Sequence, residues 1–183
     1  MYQRLRKILH TVCHSQYQGF VLLALGLLVM SGPVSAKRTL LVMGDSLSAA
    51  YNLPAEQGWV ALTAKRMKTT HPDWTVANAS ISGETTSGGL SRMPAALKQH
   101  KPKLVIIELG ANDALRGLPL ELSRRNLQSM IRMAKAADAK VLLIGMQMPP
   151  NYGKTYTDGF AGNYKALAKQ EKTALLPFLL QPI

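Results

Sequence analysis

The feature that most constrains this chain is its rhythm. Five short apolar runs, at residues 39–43, 74–77, 104–109, 141–146 and 174–178, alternate strictly with four longer stretches, 55–68, 86–99, 120–137 and 156–169, whose apolar residues recur at helical spacing. Within 120–137, Leu120, Leu127, Met130, Ile131 and Ala134 fall on one stripe, the face that such a helix turns toward a sheet. Runs as uniformly apolar as Leu-Val-Ile-Ile and Val-Leu-Leu-Ile suit strands covered on both faces. The expectation is therefore an α/β fold: a five-stranded parallel sheet between two helical layers. No repeat, low-complexity tract or Pro/Gly-rich linker interrupts residues 37–183, which read as one domain.

Residues 1–36 stand apart from that rhythm. Arg4, Arg6 and Lys7 precede an apolar run at 20–30, and Val34-Ser35-Ala36 offers a small-residue exit, the pattern of a secretory signal peptide cleaved after Ala36. Eleven apolar residues fall short of the roughly 20 that span a bilayer. Cleavage would remove three basic residues, no acidic one and the single cysteine, Cys13, taking the net charge from +12 to +9. Residues 37–183 are then the domain of a periplasmic or secreted protein that depends on a packed core rather than on disulfides. With four histidines and one cysteine, no zinc-type spacing can be assembled.

A basic excess attracts polyanions, but its distribution argues against nucleic acid. The lysines and arginines are spread over nearly all the helical stretches, and no aromatic residues interleave with them as a stacking platform requires. Solvated helix faces account for them. Weak attraction to an anionic membrane surface is the sharper alternative, and the chain is expected to be a monomer.

In an open α/β sheet, ligands bind beyond the carboxyl ends of the strands. There the sequence places Gly44-Asp45-Ser46-Leu47 after the first run, Asn78-Ala79-Ser80-Ile81-Ser82-Gly83-Glu84 after the second, and Gly110-Ala111-Asn112-Asp113 after the third. A hydroxyl, a glycine N–H open to close approach and an amide side chain are the inventory of acyl transfer, which needs an attacking oxygen and donors for the oxyanion. Each motif alone fits a turn or a cap; three at successive strand ends point to one site. The Pro149-Pro150-Asn151-Tyr152-Gly153 loop would wall the acyl site, with Met148 and Tyr152 against the chain. Asn78-Ala79-Ser80 also matches a glycosylation acceptor, read as coincidence.

These blocks resemble those of the GDSL or SGNH hydrolases, and the likeness covers nearly all of residues 37–183, including Leu97-Lys98-Gln99-His100, Leu115-Arg116-Gly117 and Pro150-Asn151-Tyr152-Gly153. The resemblance implies a flavodoxin-like three-layer sandwich that hydrolyses acyl esters, thioesters or lysophospholipids without a cofactor or metal. It also implies Ser46 as nucleophile, with the Ser46 and Gly83 N–H groups and the Asn112 side chain as oxyanion hole. In one respect the sequence departs from the pattern. The family's general base comes from a later Asp-x-x-His block, and no histidine follows His100. The expectation is that this block and the final helix are missing, leaving an apolar flank open near residues 175–180 and a poor catalyst. The alternative is an acyl-chain or lipid binder that has lost its base.

Overall fold

The computed structural model describes residues 37–181; the expected signal peptide lies outside them. Five parallel strands, β1 (Arg38–Gly44), β2 (Trp74–Asn78), β3 (Leu104–Glu108), β4 (Lys140–Ile144) and β5 (Ala174–Leu176), form one sheet in the order β2-β1-β3-β4-β5. The helices between them are α1 (Trp59–Thr70), α2 (Thr86–His100), the short α3 (Ala111–Leu115), α4 (Leu120–Ala136) and α5 (Lys154–Gln170). None of them is long and apolar enough to cross a membrane.

Alternating strand residues divide between two cores. Leu41, Met43, Val105, Ile107 and Leu143 point to the face that packs Met93 of α2, Leu127, Met130 and Ile131 of α4, and Tyr164 and Leu167 of α5. Leu40, Val42, Ile106 and Ile144 point to the other, against Val60 of α1, with Trp59, Met67 and Leu179 at its border. Full burial of each large side chain contributes about 1.5–3 kcal/mol, which is why the central strands β1, β3 and β4 carry nearly unbroken apolar runs, while the edge strands β2 and β5 are only partly buried. The predicted stripe of α4 is buried except at Leu120, and Ser123 and Asn126 join it.

The differences from the expected boundaries have local causes. Strand β4 stops at Ile144: the Gly145 N–H donates to Leu176 O at 2.8 Å, and Gly145 O accepts from Leu179 N at 3.1 Å. Pro177, without an N–H, ends β5 early. The stretch 55–68 splits into a 3-10 turn at Ala55–Gln57 and α1 because Gly58 is extended. Along the expected open flank at 175–180, Leu176 and Leu180 are each just over a third exposed, Pro177 is exposed, and Leu175, Phe178 and Leu179 are half-buried, whereas Ile106 and Ile144 on the same sheet are buried.

Candidate active site

The chain leaves β1 for β2 on one side and reaches β3 on the other, so the strand order reverses between β1 and β3 and opens a crevice at their carboxyl ends. The loop after β1 begins with buried Asp45 and half-buried Ser46. The loop after β2 returns across it, with the Ile81 N–H donating to Gly44 O at 3.1 Å. Gly83 lies exposed at φ 78°, a left-handed conformation that favours glycine. After β3, Gly110 turns the chain at φ 118° into α3; a Cβ there would stand 2.5 Å from the Tyr164 hydroxyl, which itself donates to Leu109 O at 2.9 Å.

Asn112, near the start of α3, joins the three loops. Its Nδ2 donates to Asp45 Oδ2 at 3.2 Å and to Glu84 O at 3.0 Å. Arg116 adds a second tie, donating to Gly83 O at 2.9 Å. Arg92 of α2 holds the same loop through Glu84 Oε2 at 2.7 Å and Ala79 O at 3.0 Å. Asp113 faces away, accepting from Thr86 N at 2.8 Å, Thr86 Oγ1 at 2.5 Å and Ser123 Oγ at 3.2 Å; it caps α2 and fixes α3 against it.

Beneath Ser46 lies a pair of buried acids. Asp45 Oδ1 accepts from the Leu47 N–H at 3.0 Å, while Glu108 Oε2 accepts from Ser48 Oγ at 2.7 Å and from the Asp45 N–H at 3.4 Å. Burial raises the Asp45 carboxyl above the usual carboxylate range. Burial first, and then the neighbouring Asp45 charge, pushes Glu108 up to about 8, so it keeps its proton at neutral pH. Its Oε1 has no partner among the described residues. Spacing alone does not single out Glu108, but its signal is legible as the only charge in the apolar run 104–109, at a strand end facing the crevice.

The structure brings Asp45 and Asn112 into contact and sets Ser46 and Gly83 on the loops that they join. Among the described residues, no histidine joins them. His71 ends α1 ahead of β2, its Nδ1 2.9 Å from Thr70 Oγ1, and His100 ends α2 ahead of β3, both at the opposite end of the sheet. The Asn78 amide is engaged within the protein, donating to Ser48 O at 2.8 Å and accepting from the Ser80 N–H at 3.1 Å. In the loop after β4, Tyr152 stays partly exposed and donates to Leu115 O at 3.4 Å. Met148 is instead buried in the core, a correction to its expected place against substrate. Among the described residues no cluster of His, Cys, Asp and Glu could hold a metal.

The model of the GDSL-like lipase/acylhydrolase family matches residues 42–182. Esterase TesA of Pseudomonas aeruginosa is 53% identical over 156 residues, 85% of this chain and 78% of that protein. Thioesterase 1/protease 1/lysophospholipase L1 of Escherichia coli K12 is 41% identical over 157 residues, 86% of this chain and 74% of that protein. Among solved structures, TesA superimposes with a TM-score of 0.77 at 56% identity, covering 79% of this chain and 80% of that one. AlinE4, an SGNH-hydrolase family esterase, gives 0.75 at 37% identity, covering 79% and 78%. A parallel sheet in flavodoxin order, three tied loops at its switch point and these likenesses agree: the chain belongs to the GDSL-like lipase/acylhydrolase family and is by that membership a carboxylic ester hydrolase.

Proposed function

We propose that this protein is exported and hydrolyses acyl esters, thioesters or lysophospholipids through an acyl-enzyme on Ser46. One observation carries the reading: the Asn112 amide bridges Asp45, beside Ser46, and Glu84, beside Gly83, so nucleophile and donors belong to one tied unit. In the proposed step Ser46 Oγ attacks the acyl carbonyl, and the Ser46 N–H, the Gly83 N–H and one Asn112 Nδ2 N–H, which exchanges Glu84 O for the substrate, donate to the oxygen as it gains charge. The alcohol or thiol then leaves with a proton, and water releases the acid from Ser46. Tyr152 borders the acyl chain. The basic excess adds weak, salt-sensitive attraction to anionic membranes.

The same site with no base attached is the second reading, a binder of acyl chains; it draws on the placement of His71 and His100 at the far end of the sheet. A fluorophosphonate separates the two, because it labels an activated serine and leaves an inert one untouched. The hydrolase reading expects labelling of the parent protein, none of Ser46→Ala, and melting temperatures that agree, since loss of a small hydroxyl off the core changes stability by less than about 0.5 kcal/mol. An unlabelled parent favours the binder. Equal labelling of parent and Ser46→Ala places the nucleophile elsewhere.

A further inference from the structure

The two ends of the sheet differ in chemistry. Of the ten large apolar side chains exposed among the described residues, six sit on the segments that follow β1, β2, β3 and β4: Leu47, Tyr51, Leu53, Ile81, Leu115 and Tyr152. Tyr51 is 63% and Leu53 56% exposed. The turns at the opposite end, 71–73, 101–103, 137–139 and 171–173, carry none of the ten and hold Asp73, Lys101, Lys103, Asp138 and Lys172 instead. Within the loops at the apolar end the exposed charges are Glu56 and Arg116, and the helices that leave it add Glu121 and the Lys154–Asp158 pair in their first turns. Elsewhere the surface is cationic: five acids are held in ion pairs and Asp45, Glu108 and Asp113 are buried, so Glu56 and Asp138 are the only exposed, unpaired carboxylates among the described residues.

We infer that the carboxyl end of the sheet, with Tyr51, Leu53 and Ile81 foremost, is a docking surface for the face of an anionic phospholipid bilayer, which the molecule meets with the Ser46 crevice toward the lipid. The positive field draws the protein to the anionic headgroups, and the apolar side chains of Tyr51, Leu53 and Ile81 enter the boundary between headgroup and acyl chain, while the charges at the margin stay among the headgroups. This rests on the acyl-ester reading of the site, since an acyl substrate would then be met where it lies, but the contact itself needs no turnover.

The experiment uses the full chain carrying Ser46→Ala with phosphatidylglycerol vesicles, so that failure here leaves fluorophosphonate labelling of the parent to decide the catalytic reading. Leu53→Trp adds a reporter at the rim, and Met133→Trp a matching one on α4, away from it. With brominated acyl chains, the added emission of Leu53→Trp is expected to be quenched and that of Met133→Trp not. Tyr51→Glu in the Leu53→Trp chain should raise the lipid needed for half-maximal quenching by about tenfold or more, the loss of one inserted side chain. Rising salt should weaken the quenching. Equal quenching of both reporters, or none at Leu53→Trp, overturns the proposal. So does a dimer in lipid-free buffer that Tyr51→Glu dissociates, because the rim would then be a contact between copies.

Discussion

At the scale of single residues, the buried acids make the sharpest claims. Glu108 has a carboxyl held up to about 8 in the folded protein, against an ordinary value of 4.5, so between those values the folded state holds a proton that the unfolded chain releases. Its contribution to stability is full below the unfolded value and is lost as pH rises toward 8, at a slope of about 1.4 kcal/mol per pH unit for this group. Glu108→Gln keeps a neutral group of the same shape, with an oxygen for Ser48. It should flatten the fall in melting temperature between pH 5 and 8, and parallel curves for parent and variant would mean that Glu108 is ionised throughout. Asn112→Ala tests the shared amide. As an oxyanion donor its loss costs roughly 100- to 1,000-fold in kcat. It also strips a donor from buried Asp45, so thermal unfolding should show a loss of about 1–3 kcal/mol. A change in KM alone would place Asn112 in ground-state binding.

Among elements, the long ones are legible in the sequence and the short ones are not. The central strands β1, β3 and β4 announce themselves because both faces are buried, and α4 because its stripe meets the core. Helix α3, at five residues, has too few turns to show a period, and it exists because Gly110 turns the chain and Asp113 pins the helix to α2. Ser46, Gly83 and Asn112 stand out by motif, whereas the roles of Glu84, Arg92 and Arg116 in holding the loop after β2 come from side chains reaching 8 to 33 residues along the chain, which spacing does not encode. The loop after β4 shows the same limit: Met148 and Tyr152 look equivalent in sequence, but only Tyr152 reaches the surface. Tyr152→Ala should therefore shift preference among acyl lengths by about 1–3 kcal/mol with little change in melting. Met148→Ala should cost about 2–5 kcal/mol of stability and leave the preference among lengths in place. The reverse pattern, read from a nitrophenyl ester series and thermal melts, would exchange their roles.

For the whole molecule, topology decides what can take part in chemistry. A parallel sheet sends every strand out at one end, so His71 and His100, which lead into β2 and β3, are a sheet's length from Ser46. The double variant His71→Gln/His100→Gln should turn over a nitrophenyl ester at the parent rate. A collapse of turnover with an intact melt would show that one of them reaches the site after all. The margin of the sheet has a further effect. Strand β5 holds three residues and meets Pro177 at once. So short a row of outward N–H and C=O groups offers little template for a strand from another copy, and growth of the sheet into fibrils by edge pairing is closed along that side.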